Sequence, residues 1–328
     1  MHIVTGGAGF IGSAMIWKLN QMGVDDILVV DNLAATDKWK NLVNLRFTGY
    51  MHRDEFLARI SRENDPYKVA AVIHMGACSS TTEPDADFLM RNNTAYSQEV
   101  CRFALRNGAR LINASSAATY GGGEYGFSDD HAGIGLLKPL NMYGYSKQLF
   151  DLWARRMGYL DQIASIKFFN VFGPNEYHKG DMMSVVCKAH RQIRETGRMR
   201  LFRSQRPEYS DGGQMRDFVY VKDCVDILWW LLEHPEASGI INVGTGIART
   251  WNDLAGAVFA AMGRAADIEY VDMPESIRDK YQYLTRADMG KLRRMGYAAP
   301  FSTLEDAVRD YVAGYLEKDD PYLDARQG

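Results

Sequence analysis

From residue 2 to about 170, short apolar runs rich in β-branched residues alternate with longer amphipathic stretches. That alternation predicts strand–helix–strand units wound around a parallel sheet. The expected strands are residues 3–5, 27–31, 71–74, 110–114 and 164–169. A strand buried on both faces should read as a near-continuous apolar run, and Asp26-Ile27-Leu28-Val29-Val30-Asp31 does so between two polar ends. Beyond about residue 170 the rhythm becomes irregular, and Pro174, the polar stretch 204–214, Pro274 and Pro300 punctuate shorter elements. The pattern predicts an α/β fold: a doubly wound parallel sheet of Rossmann type over residues 1–170, with a second, smaller α/β substrate lobe over 171–216 and 246–316. Residues 218–233 read as a strand followed by an apolar helix and 240–243 as another buried strand, so 217–245 is expected to return to the first domain. The Asp-rich residues 317–328, ending in Gln327-Gly328, read as a loose tail.

Composition narrows the class. With 46% hydrophobic and 24% charged residues among 328, the chain has the makeup of a folded globular protein rather than a disordered one. Lys+Arg 38 against Asp+Glu 41 leaves a net charge of −3 with the signs interspersed, which removes the basic stripe that nucleic-acid binding needs. No apolar run reaches the roughly 18 residues that cross a bilayer, and the chain opens directly on a strand pattern, so no membrane association and a cytoplasmic location are expected. Cys78, Cys101, Cys187 and Cys224 lie far apart with no C-x-x-C pair, which predicts reduced thiols, mostly in the core, and neither a metal site nor a disulfide framework.

Chemistry enters at the first turn. Gly6-Gly7-Ala8-Gly9-Phe10-Ile11-Gly12 follows the first strand and opens a helical pattern. Gly6, Gly9 and Gly12 at such a turn let a pyrophosphate approach the backbone, where helix N-terminal amides and the helix dipole meet its charge. A lone G-x-G-x-x-G is weak, but strand before, helix after and Asp31 closing the second strand supply the context of a dinucleotide site. Asp31 alone favours NAD, since a carboxylate accepts from a ribose 2′-hydroxyl and repels a 2′-phosphate. Lys38 and Arg53 leave the choice open: each either pairs with a 2′-phosphate or is a solvated surface charge.

Tyr143 and Lys147 form Y-x-x-x-K, one helical turn apart on one face. A motif this short arises by chance, so its position carries the argument. About 27 residues upstream, Asn113-Ala114-Ser115-Ser116 closes a strand, which puts Ser116 at the carboxyl edge of the sheet, where open α/β folds bind ligands. A neighbouring Lys147 cation, with the positive charge of a nicotinamide, favours the phenolate of Tyr143. Such a tyrosine exchanges a proton with a carbinol while the nicotinamide takes the hydride.

Together these features resemble the extended short-chain dehydrogenase/reductase family of nucleotide-sugar epimerases and dehydratases, over nearly the whole chain. Its dehydratases carry an Asp-Glu pair where this chain has Ala117 and Ala118, so elimination chemistry is not expected. Several segments narrow the likeness: Val30-Asp31-Asn32-Leu33, His74-Met75-Gly76-Ala77-Cys78-Ser79-Ser80-Thr81-Thr82-Glu83, Asn92-Asn93, Asn170-Val171-Phe172-Gly173-Pro174-Asn175-Glu176-Tyr177-His178-Lys179-Gly180, Arg216-Asp217-Phe218-Val219-Tyr220-Val221 and Tyr281-Gln282. They are similar to the branch of 6-epimerases that act on ADP-glyceromanno-heptose for lipopolysaccharide core synthesis. The resemblance implies an isomerase holding NADP (NAD remaining possible) against Phe10, Ile11, Asp31, Asn32, Lys38, Arg53, Met75, Gly76, Ala77, Cys78, Ser79, Asn92, Lys147, Val171 and Lys179. It implies an ADP-sugar substrate against Asn170, Asp181, Lys188, Phe202, Arg203, Ser204, Gln205, Arg216 and Tyr281, and a homo-oligomer. Tyr143, Ser116, Lys147 and Lys179 would be the catalytic set, with Lys179 a second acid–base group on the opposite face of the reacting carbon. Met75, Asp181 and Lys188 stand where familiar members carry an acid, a serine and a histidine, and the stretch between Ser204 and Arg216 is several residues longer. A UDP-hexose 4-epimerase and a non-catalytic NADP-sensing regulator are the alternatives; the complete set of Ser116, Tyr143 and Lys147 argues against the second.

Overall fold

A computed structural model describes residues 1–62, 68–278 and 281–326. Its strands are β1 (His2–Thr5), β2 (Ile27–Asp31), β3 (Gly49–His52), β4 (Ala71–His74), β5 (Arg110–Ser116), β6 (Ile163–Phe168), β7 (Asn170–Phe172), β8 (Met199–Phe202), β9 (Met215–Tyr220), β10 (Gly239–Val243), β11 (Ala248–Thr250) and β12 (Ile268–Val271). Seven of them form one sheet in the order β10-β6-β5-β4-β1-β2-β3. Each neighbouring pair in it is parallel. Helices Phe10–Gln21, Arg53–Ile60, Tyr96–Arg106, Met142–Arg156 and Val221–Glu233 flank it, which is the doubly wound α/β arrangement that the apolar runs predict. The strand order reverses between β1 and β4, and ligands of open α/β sheets bind outside the carboxyl ends at such a switch point.

All five expected strands of the first domain are present, and β2 and β4 have no exposed residue. The edge strand β3 has no counterpart among them, because Gly-Tyr-Met-His buries only Met51 and so carries almost no apolar pattern. The segment expected to return to the first domain divides. Strand β10 joins the main sheet beside β6, and helix Val221–Glu233 packs on helix Phe10–Gln21. Strand β9 instead pairs with β7 and β11 in a separate three-stranded sheet, while β8 and β12 form a two-stranded one. These two small sheets and their helices make up the second lobe.

The tail is a correction. Described residues 317–326 are not loose: Leu323 is fully buried, its amide donates to Asn175 Oδ1 at 3.0 Å, the amide of Ala325 donates to the Asn44 carbonyl at 3.0 Å, and Trp17 Nε1 donates to the Asp324 carbonyl at 3.2 Å. One leucine and one alanine anchor a segment whose composition is otherwise polar. Gln327 and Gly328 lie outside the described residues. Of the cysteines, Cys101, Cys187 and Cys224 are buried, Cys78 is half-buried, and all four are free thiols. Among the described residues no group of His, Cys, Asp or Glu is arranged to hold a metal, and no helix is long and apolar enough to cross a membrane.

Candidate active site

A cleft of about 690 Å³ opens at the carboxyl ends of the main sheet. Gly6, Gly9, Phe10, Ile11, Gly12, Asp31, Asn32, Lys38, Arg53, Met75, Gly76, Ala77, Cys78, Ser79, Asn92, Ser116, Tyr143, Lys147, Asn170, Val171 and Lys179 all line it. The glycine turn leaves one wall bare. Gly6 sits at φ +64, and a Cβ there would meet Gly76 Cα at 2.6 Å, so the loops after β1 and β4 touch only because both residues lack side chains. A Cβ on Gly12 would lie 2.0 Å from the Gly6 carbonyl oxygen. Gly9 is the N-cap of helix Phe10–Gln21, and no side chain among the described residues caps that end, so its amides face an open cradle suited to a diphosphate.

The ribose end is arranged differently from a bare carboxylate. Asp31 accepts from the amides of Ala8 at 2.8 Å and Asn32 at 2.7 Å, and Lys38 Nζ pairs with its Oδ1 at 2.5 Å. Lys38 thus neutralises Asp31 instead of standing free. Arg53 donates to Asn92 Oδ1, and its Nε is buried with no hydrogen-bond partner among the described residues, although an Asp54 carboxylate oxygen lies 3.4 Å away. A guanidinium nitrogen without a hydrogen bond, in the same cleft as an already compensated carboxylate, suits an added anionic oxygen.

Helix Met142–Arg156 presents the tyrosine and lysine. Asn141 caps it by accepting from the Gly144 amide at 2.8 Å. A Cβ on Gly144 would lie 2.7 Å from the Ala118 carbonyl oxygen, so glycine is what lets the helix approach the turn following Ser116. Tyr143 and Ser116 both line the cleft, and the Ser116 hydroxyl bears on the Tyr143 phenol. Burial raises the Tyr143 pKa above its ordinary value, and the Ser116 hydroxyl opposes that by favouring the phenolate. The lowering expected from Lys147 is therefore not realised in the protein alone; the desolvation of the phenolate outweighs it. Lys147 is buried, donates to the Ala114 carbonyl at 2.7 Å, and is pushed down to about 8 by burial while Asp151 opposes the shift. The fully buried Asn93 ties the walls together: its side chain accepts from the Cys78 amide at 2.9 Å and donates to Ser146 Oγ at 3.0 Å.

Lys179 arrives from the other lobe, on the turn Tyr177–Met182. Its Nζ lies 5.3 Å from the Phe10 ring centroid, and burial with the nearby Lys188 lowers its pKa while Glu176 opposes. Glu176, fully buried, accepts from the Gly173 amide at 3.3 Å, from Ser184 Oγ at 2.7 Å and from the Ser184 amide, closing the loop that carries Lys179.

The residues assigned from the sequence to substrate divide into two groups. Asn170 lines the cleft, while Arg216, Tyr281 and Phe202 meet in an aromatic cluster with Trp251, which also lines it. The Arg216 guanidinium lies 5.6 Å from the Trp251 ring and 5.2 Å from the Tyr281 ring, is 7% exposed, and has no carboxylate partner among the described residues. Burial lowers its pKa, an indication of a cation held without its counter-charge. Ser204 and Gln205 brace the long loop through Asp211 and the Tyr283 hydroxyl. Arg203 faces outward to Asp272 at 3.2 Å, and Lys188 donates to the Asp181 carbonyl at the surface; of the expected substrate residues only Asn170 lines the cleft itself, and Phe202, Ser204, Gln205, Arg216 and Tyr281 lie behind or beyond its wall. Sequence reasoning passed over His178, Trp251 and Phe218, which line the cleft, and the buried Asp151. Asp151 had a signal: it stands four residues after Lys147, while Ser165 and Lys167 interrupt a strand expected to be apolar on both faces.

The profile of the NAD dependent epimerase/dehydratase family matches residues 2–244. Among curated proteins, the ADP-L-glycero-D-manno-heptose-6-epimerase of Nitratidesulfovibrio vulgaris (strain Hildenborough) is 64% identical over 323 residues, covering 98% of this chain and 100% of that protein. A protein of the same name from Fusobacterium nucleatum subsp. nucleatum is 46% identical over 332 residues, covering 98% and 100%. Among solved structures, that of Helicobacter pylori ADP-L-glycero-D-manno-heptose-6-epimerase superposes with a TM-score of 0.79 at 23% identity, covering 95% of each chain, a likeness of fold.

Proposed function

The chain belongs to the NAD dependent epimerase/dehydratase family, and from that premise we propose that it inverts C6 of ADP-D-glycero-D-manno-heptose to give the L-glycero epimer, for lipopolysaccharide core heptose synthesis. It is an isomerase whose cofactor is a nicotinamide dinucleotide. The observation that carries the reading is the convergence on one cleft of Tyr143 and Ser116, from the Rossmann half, and Lys179, delivered by a loop beyond it. Residues 1–169, with helix Val221–Glu233 and strand β10, supply the dinucleotide domain; the sheet of β7, β9 and β11 and the pair β8 and β12 belong to the lobe that closes over the ADP-sugar. We place the enzyme in the cytoplasm as a homo-oligomer.

A nicotinamide dinucleotide held along the glycine turn, Asp31 and Lys147 would supply the hydride acceptor and donor for C6. Tyr143 takes the proton from the C6 hydroxyl, steadied by the Ser116 hydroxyl and by the Lys147 cation, which favours the phenolate. The resulting ketone must rotate to receive hydride on its other face, and its oxygen then points away from Tyr143. Lys179 supplies the proton there; burial lowers its pKa, which makes its ammonium a readier proton donor than an exposed lysine. Arg216, a buried cation between two aromatic rings, would hold the substrate's diphosphate.

Incubating the purified protein with ADP-D-glycero-D-manno-heptose and resolving the C6 epimers by NMR tests the function. Conversion toward a mixture of both epimers is expected, with no turnover of UDP-glucose or UDP-galactose. Turnover of the UDP-hexoses instead would make the chain a 4-epimerase, and no turnover of either would leave the regulator.

The cofactor is NADP on this reading, because Lys38 already compensates Asp31 and the Arg53 Nε, paired only with the exposed Asp54 at 3.4 Å, still lacks a hydrogen-bond partner among the described residues and can meet a 2′-phosphate. A charge-assisted bond of that kind predicts binding tighter than NAD by about tenfold or more. Calorimetric titration of cofactor-stripped protein checks it, and Arg53→Met should erase most of the difference. Equal affinities in the unmodified protein would return the site to a simple ribose-binding carboxylate.

A further inference from the structure

Strands β5 and β6 lie inside a sheet covered on both faces, where apolar side chains are expected. One face instead carries a polar row. Asn113 and Ser115 on β5 stand in register with Ser165 and Lys167 on β6, and all four are buried. Three of them gather on Asp151 of helix Met142–Arg156. Its carboxylate accepts from Ser115 Oγ and from Ser165 Oγ, each at 2.7 Å, and lies 3.6 Å from Lys167 Nζ. Both members of this ion pair are fully buried. Lys167 donates at 2.6 Å to Thr119 Oγ1, whose hydroxyl donates at 2.9 Å to the Ser116 carbonyl.

A buried ion pair adds little net stability over apolar packing of the same volume, so its presence here calls for a reason other than holding the fold. Its position supplies one. Asp151 follows Lys147 by four residues, one turn along the same helical face. Lys147 Nζ donates to the carbonyl of Ala114, the residue before the serine that Asp151 grips. The pair is therefore attached to Lys147 along the helix and to Ser116 along the strand.

We propose that Asp151, paired with Lys167, is a positioning residue for the Tyr143–Ser116–Lys147 set: through Ser115 it fixes the strand end that presents the Ala114 carbonyl and Ser116, and its negative charge keeps Lys147 cationic. The proposal rests on the catalytic reading of Tyr143 and Lys147 given above. The other groups around Lys147 do not replace that charge. Tyr143 is on its own helix, Cys78 is in the loop after β4, and His74 at the end of β4 is kept neutral by burial, which pushes its pKa down to about 3. Among the described residues, Asp151 is the carboxylate that bears on Lys147.

Removing the negative charge disfavours the charged form of Lys147, so its pKa must fall. With 15N-lysine-labelled protein, and Lys147→Met to assign the resonance, Asp151→Asn should lower the titration midpoint of the Lys147 Nζ by about one pH unit or more. The alkaline limb of the kcat profile should move down with it. A purely structural role would instead lower the melting temperature and the activity in proportion at every pH. Should Asp151→Asn fail to fold because Lys167 is left unpaired, the double variant Asp151→Asn/Lys167→Met keeps the interior neutral and carries the same expectation. An unmoved Lys147 midpoint in the folded variant, beside a slow Lys147→Met enzyme, overturns the proposal alone. A Lys147→Met enzyme as fast as the unmodified one overturns the catalytic reading and the proposal with it.

Discussion

Tyr143→Phe is expected to lower kcat for epimerisation by about 10²- to 10⁴-fold, the range that a positioned acid–base group contributes, while leaving NADP binding and the melting temperature close to those of the unmodified protein. The phenol ring fills the cleft wall beside Ser116, and phenylalanine keeps that ring, so the loss falls on the proton alone. Because burial holds the Tyr143 pKa above its ordinary value, the phenolate is scarce in the protein by itself and depends on the Ser116 hydroxyl. A loss that appears in kcat with little change in KM is the mark of an interaction made in the transition state. Steady-state kinetics with calorimetric titration of NADP separates the two, and near-normal kcat in the folded variant would remove Tyr143 from the chemistry.

Lys179→Met is expected to cost kcat about 10²-fold or more, with NADP and substrate still bound. The geometric argument is independent of Tyr143. Hydride leaves one face of C6 and returns to the other while the nicotinamide keeps its side, so the carbonyl oxygen must be served from two directions. Methionine preserves the length and packing of the lysine stem against Phe10 and removes the amine. The loop should stay in place, since Glu176 and Asn175, both fully buried, hold it from beneath. A folded Lys179→Met enzyme with near-normal kcat would show that one tyrosine serves both faces.

The Rossmann half was legible in the chain because its determinants are local. Apolar runs such as Ile27–Asp31 bury themselves on both faces wherever helices cover them, and the glycines from Gly6 to Gly12 are demanded by backbone contacts a few residues away and by Gly76. The spacing of Tyr143 and Lys147 fixes them on one helical face before any packing is known. Strand β3 escaped for the converse reason, as a short edge strand with one buried residue has no apolar pattern to read.

What the tertiary structure decided depends on residues far apart in sequence. No local pattern says that β9 pairs with β7 and β11 rather than with β6, since pairing partners are chosen by the whole sheet. The tail reads as polar, yet Leu323 is buried where Asn175, 148 positions earlier, accepts its amide. Lys38 and Asp31 both stood out as cofactor residues, but only their 2.5 Å contact shows that one neutralises the other. Arg216 was legible as a cation, whereas its lack of an acidic partner, which makes it a place for a diphosphate, is a property of everything that surrounds it. Sequence determines which groups are present and how neighbours along the chain are spaced; burial and charge compensation depend on what the fold brings beside each group, and those two quantities set its chemistry.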